Sequence, residues 1–434
     1  MQLEEFQITK LFGKYDHTIS FPHRAENDPN PSLVVLHGKN GIGKTTILKM
    51  IDGIIKLDFN IYRAVPFKQS HLKFSNGAKI KVEFTKGPNK KEDSLLVTYK
   101  GKKIYLNYHH SGPLNEKDMQ TMDNFRERFY SETSAINYEL INTERLSQQN
   151  EEDDRPYNAP HELTPEEVVY MRGRAAIYGR LPSRVRKKPL RVQPGKLAIR
   201  VREFLSEAQV NYRNYFATTE PDLFPKILER ITGEKEKKYK ANELIKRINS
   251  LSKREKIFEH FGLEPESWNK DKLTSILRES SGKASADHAL MIADSYLDYL
   301  EGKVAQRELI TNRLSTFEEI IKTFITDKDI SINSKEGLII KIQKNASLRE
   351  SQLSSGEYHL LFLLVSALVT KRSGTVIAID EPEMSMHISW QRKLVDAILK
   401  CASMAQPQLV LATHSPDIAA EFPENLVNLV EKND

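Results

Sequence analysis

The sequence contains very little cysteine and no long hydrophobic run. Cys401 is the single cysteine among 434 residues, so the chain can form neither an internal disulfide nor a cysteine-based zinc site, which is typical of a reducing compartment. The longest strongly apolar run, residues 360–369, has about half of the roughly 20 residues that a membrane-spanning helix needs. The N-terminus lacks the basic and apolar stretches of a secretory signal. We therefore expect a cytoplasmic protein with no membrane segment.

A strong net charge is absent as well. The 65 Lys and Arg residues and 59 Asp and Glu residues give a net charge of +6, which selects no class of partner. One segment is nevertheless strongly basic and has no acidic residue: it contains Arg172, Arg174, Arg180, Arg184, Arg186, Lys187, Lys188, Arg191, Lys196, Arg200 and Arg202. Such a segment would release counterions from a nucleic acid, and the alternatives are a solvated loop or a patch on an acidic protein surface. The sequence leaves this choice open.

Hydrophobic periodicity indicates α/β structure at both ends of the chain. Alternating apolar and polar residues predict antiparallel strands over residues 3–21 and 70–107. Short, continuously apolar runs are typical of buried parallel strands, and they occur at residues 33–37, 375–380 and 408–413. Helices are expected over residues 356–371, before the run at 375–380, and over residues 388–402, between the last two runs.

The middle of the chain has a different character. Residues 110–195 are polar and irregular, whereas residues 197–325 carry Glu, Lys, Leu and Ile at helical spacing and are expected to form several helices, with a short coiled-coil pair as one option. The pattern predicts two halves of one domain separated by an insertion. The expected boundaries are 1–110 for the first half, 111–328 for the insertion and 329–434 for the second half.

The first half contains a phosphate-binding motif. Residues 38–45 fit the pattern G-x-x-x-x-G-K-[ST], between an apolar run and a helical pattern. In such a loop the backbone N–H groups surround the phosphates, Lys44 reaches the β- and γ-phosphates, and the Thr45 hydroxyl holds Mg²⁺. The nucleotide-binding residues predicted here are Gly38, Asn40, Gly41, Gly43, Lys44, Thr45 and Thr46.

The second half contains three shorter motifs. Asp380 and Glu381 end an apolar run, where the aspartate is expected to bind Mg²⁺ and the glutamate to act as the general base for water. Ser354 and Gly356 lie where a helix is expected to begin, which is a suitable place for an anion. His414 follows the next apolar run, at the sheet edge where ligands bind in open α/β folds.

In this order along the chain, the four motifs resemble those of the ABC-type ATPase superfamily. Residues 38–46 look like its Walker A, 353–357 its signature, 375–381 its Walker B, and His414 its switch histidine. Residues 380–391 are similar to the D-E-P-E-x-S-x-H-x-x-W-Q run of the OLD-, RecF- and SMC-like soluble ATPases, and not to the D-loop of membrane transporters.

This resemblance covers residues 1–110 and 335–434. It implies an α/β ABC ATPase head, with a P-loop parallel sheet plus antiparallel strands, interrupted by a mainly helical insertion. It also implies that ATP and Mg²⁺ lie between two heads, so that Ser354 and Gly356 of one chain complete the site around Lys44 of the other. The chain would then form a head-to-head dimer or a higher homo-oligomer. The family uses a Q-loop glutamine, for which Gln69 is the candidate.

No nuclease active site is recognised in the chain. OLD-family nucleases continue past the switch histidine into a Toprim domain, whereas this sequence ends at Asp434. Glu301 and Lys303, with Asp298 nearby, have the E-x-K form of some nucleases but fall in a helical pattern, so a solvated helix face is favoured. His109 and His110 are expected to be loop residues.

The layout is similar to that of stand-alone ATPases of bacterial anti-phage systems. The Septu ATPase, which is paired with an HNH nuclease, is the nearest comparison, and the retron-linked and PARIS ATPases look similar. The resemblance implies a slow ATPase that holds and controls a separately encoded nuclease. The alternative is a DNA-repair ATPase of RecF or SMC type that binds DNA through its basic segment. A transporter subunit and a purely structural ATP site are weaker alternatives.

Overall fold

Fourteen strands form three sheets in the part of the chain that the computed structural model describes. The described residues are 1–22, 32–88, 93–108, 116–133, 136–142, 195–232, 240–263, 268–280, 286–342, 346–370, 374–403 and 405–430. The strands are β1 (Leu3–Leu11), β2 (Tyr15–Ser20), β3 (Leu33–His37), β4 (Gln69–Phe74), β5 (Lys79–Thr85), β6 (Ser94–Tyr99), β7 (Lys102–Asn107), β8 (Asn137–Ile141), β9 (Lys328–Asn333), β10 (Gly337–Ile342), β11 (Ala346–Leu348), β12 (Thr375–Asp380), β13 (Gln408–Thr413) and β14 (Leu426–Asn428).

The same described residues contain eleven α-helices. They are α1 (Lys44–Lys56), α2 (Asn60–Ala64), α3 (Glu116–Thr133), α4 (Lys196–Thr219), α5 (Leu223–Thr232), α6 (Ala241–His260), α7 (Lys270–Ser280), α8 (Ala286–Phe324), α9 (Ser355–Val369), α10 (Ile388–Cys401) and α11 (Pro416–Glu421). None of them is long and apolar enough to cross a membrane.

The central sheet is parallel and has the strand order β14-β3-β13-β12-β8. Its three inner strands, β3, β13 and β12, are buried on both faces, which explains their continuous apolar sequences. Thr413 lies opposite His37, and Asp380 lies opposite Ala412. The carboxyl ends of β3, β12 and β13 therefore meet at one edge, and the predicted motifs that follow these strands are brought together there.

Two hydrophobic cores lie on the two faces of this sheet. Along each strand, alternate residues enter alternate cores, as the strand period of two requires. In β12, for example, Ile377 and Ile379 join one core while Val376 and Ala378 join the other. The second core contains α1, α3 and the antiparallel sheet β2-β1-β4-β5-β6-β7, and the first contains α9 and α10 together with α4, α6, α7 and α8. The predicted fold class is confirmed.

The predicted domain boundary at residue 110 separates elements that the structure pairs. It assigns β8 to the insertion, but β8 is hydrogen-bonded in parallel to β12 and is the edge strand of the central sheet. The sequence Asn137–Ile141 is short and only half apolar, so it gave no strong strand signal. The helices expected between residues 197 and 325 are present as α4 to α8. The division into three segments otherwise stays a prediction.

The insertion is attached to the signature region through Glu350. This buried carboxylate lies in a short 3₁₀ helix, and its two oxygens accept hydrogen bonds from the backbone N–H groups of Leu197 (3.0 Å) and Ala198 (2.8 Å), in the first turn of α4. A carboxylate at this place satisfies donors that a helix start leaves unpaired and interacts favourably with the helix dipole. Arg200 adds hydrogen bonds to Ser366 on α9 and Glu139 on β8.

Arg313 makes a second attachment, deeper in the molecule. Its guanidinium, on α8, donates hydrogen bonds to the carbonyl oxygens of Ala367 (2.9 Å), Thr370 (2.6 Å) and Cys401 (3.2 Å). Burial lowers the pKa of Arg313 to about 10, so the side chain stays protonated at neutral pH. One insertion residue therefore satisfies the carbonyl groups at the ends of two helices of the head.

We expect Arg313→Ala to lower the free energy of unfolding by about 3 kcal/mol, because it leaves buried carbonyl groups without donors. Urea titration followed by tryptophan fluorescence measures this change. The matched control is Arg254→Ala, which removes a half-exposed ion pair with Glu308 and should cost under about 1 kcal/mol. Equal losses in the two variants would contradict the role assigned to Arg313.

Candidate functional site

The phosphate-binding loop joins β3 to α1, as the motif predicts. Gly41 and Gly43 have φ angles of 83° and 104°, in the left-handed region that favours glycine. Lys44 is the first residue of α1, and its Nζ donates hydrogen bonds to the carbonyl oxygens of Gly38 (2.6 Å) and Lys39 (3.3 Å). Its ammonium group therefore lies inside the loop, next to the N-terminus of α1, where a phosphate binds best.

Close packing explains two of the glycines in this loop. A Cβ atom at Gly43 would lie 2.6 Å from a methyl carbon of Leu11, and one at Gly38 would lie 2.8 Å from the carbonyl oxygen of Leu429. Both distances are shorter than real carbon contacts allow. Of the other predicted loop residues, Asn40 is exposed and Thr46 is half-buried. These two contacts pack the loop between Leu11, in β1 of the antiparallel sheet, and Leu429, which follows β14 of the central sheet.

Thr45 and Asp380 meet although they are far apart in sequence. The Thr45 Oγ1 donates a hydrogen bond to Asp380 Oδ1 at 3.0 Å. Two oxygen ligands at neighbouring corners of an octahedral Mg²⁺, each 2.0–2.1 Å from the ion, lie about 2.9 Å apart. The observed pair therefore fits Mg²⁺ without rearrangement. Burial raises the pKa of Asp380, and the hydrogen bond from Thr45 opposes this effect.

Lys44 and Asp380 have complementary electrostatics. Burial lowers the pKa of Lys44, while the nearby carboxylates of Glu381, Asp380 and Glu383 act in the opposite direction. A buried lysine and a group of carboxylates at one sheet edge are the donor set that a triphosphate with its Mg²⁺ requires. The residues present thus fit both predicted cofactors, ATP and Mg²⁺.

Glu381 and His414 face each other across the ends of β12 and β13. The distance between His414 Nδ1 and Glu381 Oε1 is 3.7 Å, and both side chains are partly exposed. Glu381 has a φ angle of 51°, which is uncommon for a residue with a side chain, and its N–H donates to the Ala412 carbonyl oxygen. The predicted base and the predicted switch histidine are thus adjacent, and Glu381 directly follows the predicted Mg²⁺ ligand Asp380.

The signature residues form the N-terminus of α9. Ser354 caps this helix, with its Oγ accepting a hydrogen bond from the Glu357 N–H and donating one to the Glu357 carboxylate. Lys328, on β9, donates to the same carboxylate at 2.6 Å. Burial raises the pKa of Glu357, but the hydrogen bonds from Lys328 and Ser354 outweigh it and hold the pKa below its usual range. An exposed serine at a helix start remains available to an anion from outside the chain.

The signature helix packs directly on the segment that follows Glu381. A Cβ atom at Gly356 would lie 2.4 Å from the Ser385 carbonyl oxygen, and the His359 Nδ1 donates a hydrogen bond to the Met384 carbonyl oxygen at 2.8 Å. Ser385 has a φ angle of 59°. The segment after Glu381 and the signature therefore share one contact surface within the chain.

Gln69 lies apart from these motifs. It is the first residue of β4, in the antiparallel sheet, opposite Thr9 and Glu83. Its backbone carbonyl accepts a hydrogen bond from the Thr9 hydroxyl at 3.4 Å. The Q-loop role of Gln69 stays a prediction.

Two residues at the site have no role predicted from the sequence. They are Glu383 and Gln391, and both belong to the D-E-P-E-x-S-x-H-x-x-W-Q run that carries the family resemblance. In the structure Glu383 accepts hydrogen bonds from the residues around His414, and Gln391 accepts one from Ser415 at 2.7 Å. The signal for these residues is the polar pattern of the run itself. Glu383 follows Pro382, Gln391 lies on α10, and both side chains face the loop that follows β13.

The E-x-K pattern has a structural explanation. Asp298 and Glu301 lie on α8, and both carboxylates accept hydrogen bonds from the guanidinium of Arg247. Arg230 also binds Asp298. Across the described ranges, no group of three or more His, Cys, Asp or Glu residues is arranged to hold a metal ion. His109, His110 and the basic segment before residue 195 lie outside the described residues.

The fold and the site together define a P-loop ATPase. The sequence profile of the AAA ATPase domain family matches residues 1–419. The chain belongs to this family of ATPases, and it hydrolyses ATP. No curated protein matches the chain.

Solved structures with some similarity include two SMC head domains. One, from Pyrococcus furiosus, has an extended coiled coil and is bound to the C-terminal domain of ScpA; it is 13% identical over 99% of this chain and 94% of that chain, with a TM-score of 0.38. The other, from Thermotoga maritima, is 10% identical over 99% of this chain and 94% of that chain, with a TM-score of 0.35. Likenesses at these scores carry no inference about mechanism or partners.

Proposed function

We propose that this ATPase works as a head-to-head dimer or higher homo-oligomer that regulates or scaffolds a separately encoded nuclease in bacterial anti-phage defence. In this proposal Glu381 is the general base, His414 contacts the γ-phosphate, Thr45 and Asp380 hold Mg²⁺, and Lys44 binds the β- and γ-phosphates. One observation carries the oligomeric part. Ser354 is exposed at the N-terminus of a 15-residue helix, and its described hydrogen bonds are to Glu357 in the first turn of the same helix. A serine at such a place is suited to bind a phosphate group of ATP that is held by a second chain.

Complementation between inactive variants tests the shared site. Ser354→Arg should block the signature and Lys44→Ala should disable the phosphate loop, so each variant alone should lack ATPase activity. In an equal mixture, half of the dimers would contain one intact composite site, so activity should return to about one quarter of wild type. Mixing either variant with itself is the control. Ser354→Arg chains that hydrolyse ATP at the wild-type rate would contradict the shared site.

A protein partner is favoured by an apolar face on α5. Phe224, Leu228 and Ile231 follow one another at helical spacing, and their exposed fractions are 68%, 45% and 38%. Exposed apolar faces of this kind are typical of protein–protein contacts. The face belongs to the insertion and not to the ATP site, so a bound effector would leave the nucleotide accessible.

Co-purification with the products of neighbouring genes tests the partner. A tagged chain should retain a nuclease, and light scattering with and without ATP should give the composition of the complex. Phe224→Asp together with Leu228→Asp should weaken the complex while leaving ATP hydrolysis unchanged. Ile292→Asp, at a similarly exposed position on α8, is the matched control.

The alternative function is a DNA-repair ATPase of RecF or SMC type, and a basic surface at the insertion supports it because basic residues attract a phosphate backbone. Four basic residues line a cavity of about 960 Å³ between α4, α8 and the turn after β9, together with Glu203 and Glu259. The four are Arg202, Arg213, Arg307 and Lys335. A chain that co-purifies with no nuclease but retains duplex DNA at low salt, with affinity falling steeply as salt rises, would favour this alternative.

A further inference from the structure

Glu383 is buried next to the ATP site and is not one of the residues to which the proposed function gives a role. Its side chain is 7% exposed. Its Oε1 accepts hydrogen bonds from three consecutive residues: from the Thr413 hydroxyl at 2.7 Å, from the His414 N–H at 3.0 Å and from the Ser415 N–H at 3.1 Å. One carboxylate oxygen therefore fixes the backbone on both sides of the switch histidine.

Gln391 reinforces the same loop from α10. Its Oε1 accepts a hydrogen bond from the Ser415 hydroxyl at 2.7 Å, and its Nε2 donates one to the Met386 carbonyl oxygen at 3.0 Å. The Ser415 hydroxyl also caps the N-terminus of α11. Two hydrogen-bonded links, one through Glu383 and one through Gln391, therefore join the segment after Glu381 to the segment around His414.

The described hydrogen bonds of His414 involve its backbone, whereas its imidazole is partly exposed. Its Nδ1 lies 3.7 Å from Glu381 Oε1 and 3.6 Å from Glu383 Oε1, both beyond hydrogen-bond distance, so the described hydrogen bond that holds this residue is the one from its N–H. A loop without the hydrogen bonds to Glu383 would leave the histidine free to move away from Glu381.

The other oxygen of Glu383 faces a different environment. Oε2 is buried and receives no hydrogen bond from the described residues, and the same is true of Nε2 of His359 on α9. Burial lowers the pKa of His359, while its hydrogen bond to the Met384 carbonyl and the charge of Glu383 act in the opposite direction. Because the Nδ1 of a neutral His359 donates to that carbonyl, its Nε2 is an acceptor. A glutamine at position 383 would keep an oxygen acceptor for residues 413–415 and place its amide group at the position of Oε2.

We infer that Glu383 is a positioning residue for ATP hydrolysis, which sets His414 against Glu381 through the three hydrogen bonds to Oε1. The role inferred for Glu383 is to accept these three hydrogen bonds, which a glutamine oxygen can also accept. This inference rests on the roles that the proposed function gives to Glu381 and His414, and it is independent of any partner.

The test compares Glu383→Ala with Glu383→Gln in the full chain, using a fluorescent ATP analogue for the Kd and phosphate release for kcat. In Glu383→Ala, kcat should fall by about 10²-fold, since a misplacement of about 1 Å has an effect of that size. The Kd for ATP should stay within about threefold, because the described hydrogen bonds of Glu383 are to residues 413–415 and not to Lys44 or the phosphate loop. Glu383→Gln, which keeps an oxygen acceptor and the shape of the side chain, should restore kcat to within about threefold of wild type.

If Glu383 had only a structural role, Glu383→Ala would lower Tm and reduce the fraction of active protein to the same extent. The protein that remains folded would then keep both its kcat and its Kd for ATP. An unchanged kcat in Glu383→Ala, or a kcat in Glu383→Gln as low as in Glu383→Ala, would overturn the inference. Should Glu383→Ala not fold, Thr413→Val removes the shortest of the three hydrogen bonds and keeps the carboxylate. We expect it to lower kcat several-fold at constant Kd, and an unchanged kcat would equally overturn the inference.

Glu381→Gln, measured in the same assays, distinguishes failure of the proposed function from failure of the inference about Glu383. If Glu381→Gln hydrolyses ATP at the wild-type rate, the general base of the proposed function is wrong. If Glu381→Gln is inactive while Glu383→Ala has wild-type kcat, only the positioning role of Glu383 is wrong.

Discussion

Replacing Glu381 with glutamine should stop hydrolysis while leaving ATP binding intact. The substitution keeps the size of the side chain but removes the group that accepts a proton from the attacking water, and general-base catalysis contributes about 10²–10⁴-fold. Thr45, Asp380 and the phosphate loop do not depend on the Glu381 carboxylate, so the Kd for ATP should stay near that of wild type. Single-turnover phosphate release and equilibrium binding of a fluorescent ATP analogue measure the two effects separately.

The same variant should accumulate as a closed oligomer in the presence of ATP and Mg²⁺. Hydrolysis would normally release the second chain, and without hydrolysis the bound triphosphate keeps both chains together. Light scattering should therefore give a larger mass with ATP than with ADP. Glu424→Gln, on an exposed 3₁₀ turn away from the site, is the matched control. Wild-type hydrolysis by Glu381→Gln would show that the base is another residue.

Replacing Lys44 with alanine should abolish tight ATP binding. The ammonium group is held within the loop by the carbonyl oxygens of Gly38 and Lys39, at the place where the motif predicts the β- and γ-phosphates. Its loss removes a charge-assisted contact worth about 3 kcal/mol, which is a factor of roughly 10² in Kd. Hydrolysis should be lost with binding, unlike in Glu381→Gln. Isothermal titration with ATP and Mg²⁺ measures the change.

Lys56→Ala is the matched control for this substitution. It removes a lysine from the last turn of the same helix, outside the G-x-x-x-x-G-K-[ST] pattern, where it forms an ion pair with Asp52. We expect its Kd for ATP to stay within about threefold of wild type, since the residue lies outside the loop that surrounds the phosphates. A Kd near wild type for Lys44→Ala would contradict the assignment of the loop.

The sequence was sufficient to predict the elements that carry the motifs. Each apolar run that was assigned to the parallel sheet is a strand of that sheet, because burial on both faces leaves an unmistakable apolar pattern. The meeting of Thr45 with Asp380 follows from the rule that parallel strands end at one edge. In such cases local sequence and tertiary position are linked by one physical constraint.

Other features depend on contacts that no local pattern records. The edge strand β8 was not recognised because its sequence is short and its partner β12 lies far along the chain. Glu350 and Arg313 are charged residues in polar stretches, where solvent exposure is the ordinary expectation, and only the folded chain shows which backbone groups they satisfy. Glu383 is similar, since its three donors come from a loop that follows a different strand.

The bonds from Glu350 to the start of α4 join this helix to the 3₁₀ turn that precedes the signature. With 24 residues at 1.5 Å rise, α4 is about 36 Å long. Leu197, Val201, Phe204 and Leu205, in its first half, are buried in the core that also contains α9. The signature helix and the first half of α4 are therefore one packed unit, from which the largely exposed residues 206–215 of α4 extend.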